Sequence, residues 1–172
     1  MATKDIYFAA GCFWGAEKFF KQVRGVTATE VGFANGNTEN PTYKQVYTDT
    51  TGYAECVHVQ YDPDQVSLSL LTDLFFEAID PLSLNKQGED EGTRYRTGVY
   101  YLQEDTVSEA LLREAFARQQ QQYDAPLAVE LCPLRNFYTA EEYHQDYLDK
   151  NPQGYCHLSP RLFELARKSN LK

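Results

Sequence analysis

The chain has 172 residues, a length typical of one domain that buries a full hydrophobic core without disulfides or a structural metal. Hydrophobic residues make up 42% and charged residues 24%, which excludes a disordered or fibrous chain. The net charge is −9 and no basic run occurs, so nucleic acids and anionic lipid surfaces are poor partners. No apolar run approaches the roughly 18–20 residues of a membrane span.

The first residues carry no apolar segment of the kind that a signal peptide needs. We therefore expect a cytoplasmic monomer with no nucleic-acid or membrane partner. No phosphate-binding loop, GxGxxG or HExxH motif occurs, so the sequence predicts neither an organic cofactor nor a metal. Four cysteines stand at positions 12, 56, 132 and 156 without a CxxC pair, which is not the pattern of a structural zinc site.

Hydrophobic periodicity predicts strands and helices along the first half of the chain. In chain order these are a strand, a helix, two strands and a helix, over 5–10, 13–23, 26–33, 56–61 and 68–79. A turn-rich stretch follows the third element and runs to Pro41. Residues 82–97 form a long polar loop, and loops of that length in compact domains are usually functional or disordered.

The second half begins with a predicted strand over 98–102. Capping boxes at Thr106 and Thr139 predict the starts of two helices, which run to about 122 and 150. A strand over 127–132 lies between them, and Ser159 followed by Pro160 predicts the start of a last helix.

This order favours an α+β fold, a single-domain two-layer α/β sandwich of the ferredoxin-like kind. We expect residues 1–172 to form one domain, with a core over about 5–150. The segment 151–172 would then be a C-terminal tail.

The most informative residue is Cys12, because it lies at a predicted strand-to-helix junction. Free N–H groups and the helix dipole favour a thiolate at a helix N-terminus, and the thiolate is the nucleophilic form. The ordinary alternative is a small apolar residue at a turn, since free cysteine is often simply buried. The residues alone leave these two interpretations at about even weight.

The stretch Gly11-Cys-Phe-Trp-Gly15 resembles the signature of the A-type peptide methionine sulfoxide reductases. Other stretches resemble the same family in the same order: Asn40-Pro-Thr-Tyr43, Gly52-Tyr-Ala-Glu55, Tyr61-Asp-Pro63, Asn85-Lys-Gln-Gly88, Asp90-Glu-Gly92, Tyr95-Arg96, Phe137-Tyr138 and Glu141-Glu-Tyr-His-Gln145. The resemblance covers roughly residues 5–150. It implies repair of oxidative damage by thiol-dependent reduction of methionine S-sulfoxide, protein-bound or free, to methionine.

The resemblance implies that Cys12 attacks the sulfoxide sulfur and that Glu55 is the acid. A carboxylic acid donates a proton at neutral pH only when burial raises its pKa. Tyr43 and Tyr95 are implied to hydrogen-bond the sulfoxide oxygen. Without the resemblance, Glu55 would be interpreted as a solvated glutamate at a strand end.

The resemblance also implies that Phe13 and Trp14 form aromatic walls that hold the S-methyl group, a contact that suits sulfur. Asp90 is implied to be a carboxylate near the pocket, although alone it is one of three acids in a polar loop. The sequence departs from the family pattern at Tyr53, where a histidine is usual. The hydrogen bond of this phenol is not predicted.

Attack on the sulfoxide leaves Cys12 as a sulfenic acid, which an adjacent resolving thiol commonly removes. Three thiols are open candidates. Strand alternation sends Cys56 to the face opposite Glu55, and Cys132 ends an apolar strand, so both favour packing. The family tends to carry its resolving cysteine in a C-terminal loop, which favours Cys156. The resulting disulfide would be reduced by thioredoxin or a similar dithiol.

Two other functions stay open at this point. A cysteine hydrolase or acyl transferase would need a histidine base beside Cys12, for which His144 and His157 are the candidates. A non-catalytic module could bind oxidised methionine in the same pocket. We expect His144 to be structural, His157 to be a partly exposed loop histidine, and His58 to have no partner.

Overall fold

The computed structural model describes residues 3–169; positions 1–2 and 170–172, the ends of the expected domain and tail, lie outside the described residues. The main strands are β1 Lys4–Ala10, β2 Val26–Ala34, β3 Ala54–Tyr61, β4 Lys86–Gln87, β5 Asp90–Glu91, β6 Thr97–Tyr101, β7 Glu130–Pro133 and β8 Phe137–Thr139. The helices are α1 Phe13–Lys21, α2 Tyr43–Tyr47, α3 Leu68–Ala78, α4 Thr106–Gln120, α5 Tyr147–Lys150 and α6 Pro160–Lys168. Two 3₁₀ turns span Thr93–Tyr95 and Glu142–His144.

Six strands form one sheet in the order β7-β6-β1-β3-β2-β8, while β4 and β5 pair as a separate hairpin. All neighbours in the sheet are antiparallel except β6 and β7, which are parallel. The central β1-α1-β2-β3-α3-β6 succession is the βαββαβ order of a ferredoxin-like fold. The predicted α+β sandwich is therefore confirmed, with an added strand at each edge.

The main hydrophobic core lies between the sheet and the helices. Alternation along β1 sends Ile6 and Phe8 to this face, where Phe8 stacks on Phe20 of α1 and Phe75 of α3. A smaller cluster around Tyr7 and its strand neighbours covers the opposite face. The core thus fixes α1, and with it the residue that precedes α1, against the middle of the sheet.

Several predicted boundaries differ from the structure; for example, the helix predicted over 13–23 ends at Lys21. Asp105 caps α4, because its carboxylate accepts the N–H of Ser108 at 3.0 Å; Thr106 is already the first helical residue. The predicted strand over 127–132 begins only at Glu130, and the predicted strand over 56–61 begins two residues earlier, at Ala54.

The predicted helix over 139–150 is wrong. Thr139 ends β8, and a 3₁₀ turn and the short α5 follow it, separated by Asp146 with a left-handed backbone (φ 54°). Tertiary bonds hold this break, since Glu17 accepts the Asp146 N–H at 2.8 Å and Gln145 bonds both backbone groups of Val31 at 2.9 Å. Such distant partners outweigh a local capping signal.

The long loop over 82–97 contains the β4–β5 hairpin and the Thr93–Tyr95 turn, and the helix α2 occupies part of the stretch after Pro41. The signal for α2 is a capping box that is present in the sequence. The Thr42 hydroxyl accepts the Gln45 backbone N–H at 3.2 Å, and the Gln45 side-chain oxygen accepts the Thr42 backbone N–H at 2.9 Å. Among the described residues, no helix has the length and apolar character needed to cross a membrane.

Candidate active site

Cys12 lies where the sequence places it, between the end of β1 and the first residue of α1. Gly11 makes the turn with φ 82°, a left-handed conformation that favours glycine. The Cys12 side chain is buried, with 5% of its surface exposed. The junction thus presents a single thiol at the helix N-terminus.

Two effects of opposite sign act on this thiol. Burial and the nearby Glu55 carboxylate raise the pKa of Cys12 well above its usual value, while the backbone N–H groups of Trp14 and Gly15 lower it. The helix N-terminus therefore contributes as expected, but burial outweighs it. Cys12 is a thiol in the resting protein, and its two N–H partners stabilise negative charge when charge develops on sulfur.

Glu55 reaches the same helix start from β3. Its Oε1 accepts the backbone N–H of Phe13 at 3.1 Å, and its Oε2 is buried without a hydrogen-bond partner among the described residues. Burial raises the pKa of Glu55 to about 8, opposed by the Phe13 N–H and by Arg94, with Asp90 and Asp49 raising it further. A neutral carboxylic acid with one free oxygen therefore stands at the site near pH 7.

Two phenols border this carboxyl group. Tyr43 begins α2 and is half-buried, and its N–H donates to Glu141 at 3.2 Å. Tyr95 ends the 3₁₀ turn and is buried. Burial and then Glu55 raise the pKa of both phenols, that of Tyr95 to about 12. Both hydroxyls therefore remain protonated donors.

An ion pair that the sequence analysis missed holds the Tyr95 turn. Arg94 Nη1 lies 2.5 Å from Asp49 Oδ2, and the Arg94 N–H donates to Asp49 Oδ1 at 3.2 Å. The guanidinium lies over the rings of Tyr47 and Tyr95, at 4.2 and 4.4 Å from their centres. The charge of Arg94 was visible in the sequence, but its partner Asp49 is distant in the chain.

The two expected wall residues differ in exposure. Phe13 is fully buried, with its ring 5.6 Å from that of Phe33 and 6.2 Å from that of Tyr43. Trp14 is partly exposed and stacks on Tyr147 at 3.8 Å between ring centres. Trp14 is thus the wall that solvent reaches, and Phe13 lies deeper.

His144 fixes the Trp14 ring. The indole N–H donates to His144 Nδ1 at 3.1 Å, and the imidazole stacks on Tyr43 at 4.4 Å. Burial lowers the pKa of His144, so the imidazole is neutral and Nδ1 is free to accept. The expected structural histidine therefore contacts two aromatic residues of the site, Trp14 and Tyr43.

Asp90, in β5, acts on the same groups. Its carboxylate raises the pKa of Cys12 and of Glu55, and it accepts the Tyr155 hydroxyl at 3.0 Å. The hydrogen bond ties the β4–β5 hairpin to the loop that carries Cys156. Tyr53 lies apart from this network: it is fully buried and its hydroxyl donates to the Thr38 carbonyl.

The Cys156 loop covers the first turn of α1. A Cβ atom placed on Gly15 would lie 3.0 Å from Cys156 Sγ and 3.1 Å from His157 Nδ1. Cys156 is half-buried, and its thiol donates to the Leu158 carbonyl at 3.6 Å. Cys156 therefore lies beside the helix turn that Cys12 begins.

The other two thiols lie on the far face of the sheet. Cys56 is fully buried there next to Tyr100, as strand alternation predicts. Cys132 packs against the same cluster and is half-buried. All four cysteines are free, and among the described residues no group of three or more histidine, cysteine or acidic side chains is arranged to hold a metal.

Comparison with known proteins shows the family of this chain. The family model described as peptide methionine sulfoxide reductase matches residues 4–171. The peptide methionine sulfoxide reductase MsrA of Clostridium acetobutylicum is 53% identical over 94% of this chain and 98% of its own.

Two crystal structures of Mxr1 from Saccharomyces cerevisiae are also similar. The reduced form has a TM-score of 0.85 and 37% identity over 91% of each chain. Mxr1 in complex with Trx2 has a TM-score of 0.59 and 25% identity over 84% of each chain.

Proposed function

The chain belongs to the peptide methionine sulfoxide reductase family, and from this premise we propose how its residues perform the reaction. It is an oxidoreductase that reduces methionine sulfoxide to methionine, so the alternative of a non-catalytic binding module is set aside. The same family membership sets the hydrolase alternative aside. Of its two candidate bases, His144 has Nδ1 occupied by the Trp14 indole N–H, and His157 lies beside Gly15 with the Cys156 thiol.

Glu55 is the acid of the reaction. A sulfoxide oxygen is a poor leaving group until it is protonated, and Glu55 keeps its proton near pH 7 because burial raises its pKa to about 8. The observation that carries the proposal is that Oε2 has no hydrogen-bond partner among the described residues. A buried carboxyl oxygen without a partner is costly unless a ligand forms the missing hydrogen bond. The hydroxyls of Tyr43 and Tyr95 donate hydrogen bonds to the sulfoxide oxygen.

Cys12 is the nucleophile. Its sulfur bonds to the sulfoxide sulfur while the oxygen takes a proton, and the N–H groups of Trp14 and Gly15 stabilise the charge that develops on sulfur. The oxygen is then transferred to Cys12, which becomes a sulfenic acid, and methionine is released. The thiol supplies the two electrons, so no metal or organic cofactor enters the step.

The site has two chemically distinct sides, which supports selectivity for one epimer, and the resemblance to the A-type family implies that this is the S epimer. Proton donors gather around Glu55, whereas Trp14, backed by Phe13, offers an apolar surface to the S-methyl group. Asp90 acts at a distance, by raising the pKa of Glu55. The R epimer would exchange the positions of oxygen and methyl group.

Cys156 resolves the sulfenic acid. It lies against the first turn of α1, while Cys56 and Cys132 lie behind the sheet. The disulfide Cys12–Cys156 joins the start of α1 to the half-buried cysteine of the C-terminal loop, and thioredoxin or a similar dithiol reduces it. The similar structure of Mxr1 bound to Trx2 supports this partner. The cytoplasmic location and the monomeric state stay predictions.

Consumption of the separate S and R epimers of a methionine sulfoxide peptide, with dithiothreitol as reductant, tests the function. We expect loss of the S epimer alone in the parent and no loss with Cys12→Ser, while Cys132→Ser behaves as the parent. Consumption of the R epimer would overturn the proposed selectivity. Retained turnover in Cys12→Ser would overturn the proposed nucleophile.

A further inference from the structure

The loop that carries Cys156 also places an imidazole at the active-site helix. His157 Nε2 lies 3.0 Å from the carbonyl oxygen of Ala10, which is the last residue of β1. A carbonyl only accepts, so Nε2 carries the proton and Nδ1 is the basic nitrogen. The contact therefore selects one tautomer of His157, whereas a solvent-exposed loop histidine would exchange between two.

The basic nitrogen has no assigned partner. His157 Nδ1 is buried and makes no hydrogen bond among the described residues. It faces the same point beside Gly15 as Cys156 Sγ, at 3.1 and 3.0 Å respectively. A buried acceptor without a donor and a thiol that must lose its proton in order to react therefore both lie against the same side of Gly15.

We propose that His157 is the general base that takes the proton from the Cys156 thiol as Cys156 attacks the Cys12 sulfenic acid. The step rests on the proposed function, because it needs that sulfenic acid. The Cys156 sulfur forms the S–S bond as the Cys12 S–O bond breaks. The hydroxyl leaves as water with the proton that the Cys156 thiol gave up, so no further oxidant or reductant is required.

The charges around the loop show why a base is needed. Burial raises the pKa of Cys156, opposed by the backbone N–H of Leu158 and by Lys18 of α1, so little thiolate is present at pH 7. Burial lowers the pKa of His157, while the Ala10 carbonyl and the Asp90 carboxylate of β5 act in the opposite direction. The imidazole is therefore neutral, as a base must be, at the pH where the thiol is not ionised.

His157→Gln is the sharp test, because the glutamine amide retains a donor for the Ala10 carbonyl but has no basic nitrogen. The protein is mixed with one equivalent of sulfoxide substrate without reductant. Methionine release and loss of free thiols are followed separately after rapid quenching. Because general bases typically contribute 10²–10⁴-fold, we expect disulfide formation at pH 7 to slow about 100-fold or more, while methionine release stays at the parent rate.

The pH dependence separates proton transfer from a structural effect. In the parent, disulfide formation should be nearly constant from pH 7 to 9, since the base is neutral throughout. In His157→Gln it should rise about tenfold per pH unit, following the Cys156 thiolate. His58 lies on the other face of the sheet, where its Nε2 is 2.8 Å from Asp5 Oδ1, so the prediction that it has no partner is wrong. His58→Gln serves as the matched histidine control.

Two results would overturn the role of His157. One is a parent-like rate of disulfide formation in His157→Gln. The other is a rate of disulfide formation that rises tenfold per pH unit in the parent itself, a measurement that does not depend on the folding of any variant. Absence of methionine release from the parent would instead refute the proposed function, so the two failures are distinguishable.

Discussion

The backbone N–H of Phe13 donates to one oxygen of Glu55 at 3.1 Å, and the other oxygen is buried with no partner in the described part of the chain. The first residue of α1 thus orients the carboxyl group that we propose as the acid for the cysteine just before it. Because this N–H bond stabilises the charged form, it opposes the effect of burial on the Glu55 pKa. The balance leaves the pKa at about 8, close to the pH at which a proton donor is needed.

Glu55→Gln should slow single-turnover methionine formation at pH 7 by about 10²–10⁴-fold, the usual contribution of a general acid. In the parent the rate should fall as pH rises through about 8, because the proton is present below that pH and lost above it. Rapid-quench assays from pH 6 to 9.5 measure both. The exposed Glu104→Gln is the control, and parent-like turnover in Glu55→Gln would exclude the acid role.

The same carboxyl group should make the protein less stable as pH rises. Its pKa is 4.5 when unfolded and about 8 when folded, so between those values the folded state holds one more proton. The free energy of unfolding should fall by about 1.4 kcal/mol per pH unit across this window through Glu55. Urea unfolding of the parent and Glu55→Gln, compared at pH 5.5 and 7.5, isolates this contribution. Equal pH slopes in the two proteins would contradict the burial argument.

Removing the acceptor of the Trp14 indole should weaken substrate binding more than chemistry. In His144→Ala the N–H loses its partner, at a cost of about 1–2 kcal/mol, and we expect KM to rise roughly 5–30-fold with a smaller change in kcat. Trp14 is the sole tryptophan, so its emission reports the same change directly. His58→Ala should leave both unchanged. A fall in kcat with an unchanged KM would argue against the view that His144 positions Trp14 for substrate binding.

Cys156→Ser should separate the two halves of the cycle. We expect one methionine per protein molecule, released at the parent rate, followed by loss of turnover when thioredoxin is the only reductant. Counting free thiols after that single turnover should show one thiol lost in Cys156→Ser and two in the parent. Cys56→Ser and Cys132→Ser should match the parent. A full thioredoxin-supported rate in Cys156→Ser would assign the resolving role elsewhere.

Much of the site was predictable because its residues are adjacent to local signals. The strand, the turn at Gly11 and the helix after Cys12 follow from periodicity over a few residues. Alternation along β3 predicts that Cys56 and Glu55 face opposite sides, as they do. The roles of Tyr43 and Tyr95 came only from the resemblance.

The remaining features depend on contacts between distant parts of the chain. The break at Asp146 is held by Glu17, and the turn before Tyr95 is held by Asp49. The protonation of Glu55 depends on how completely other elements bury it, which no local pattern records. Periodicity predicts elements well, but it does not predict the partners that bend them or set their charge.

The glycine at position 15, in the first turn of α1, limits how this helix can be engineered. Alanine is favoured over glycine in a helix by about 1 kcal/mol, so a design method that rewards helix propensity would choose alanine here. The added methyl group would compete with Cys156 Sγ and His157 Nδ1 for the same space. The gain in helix propensity is therefore opposed by crowding of the loop that carries the proposed resolving cysteine.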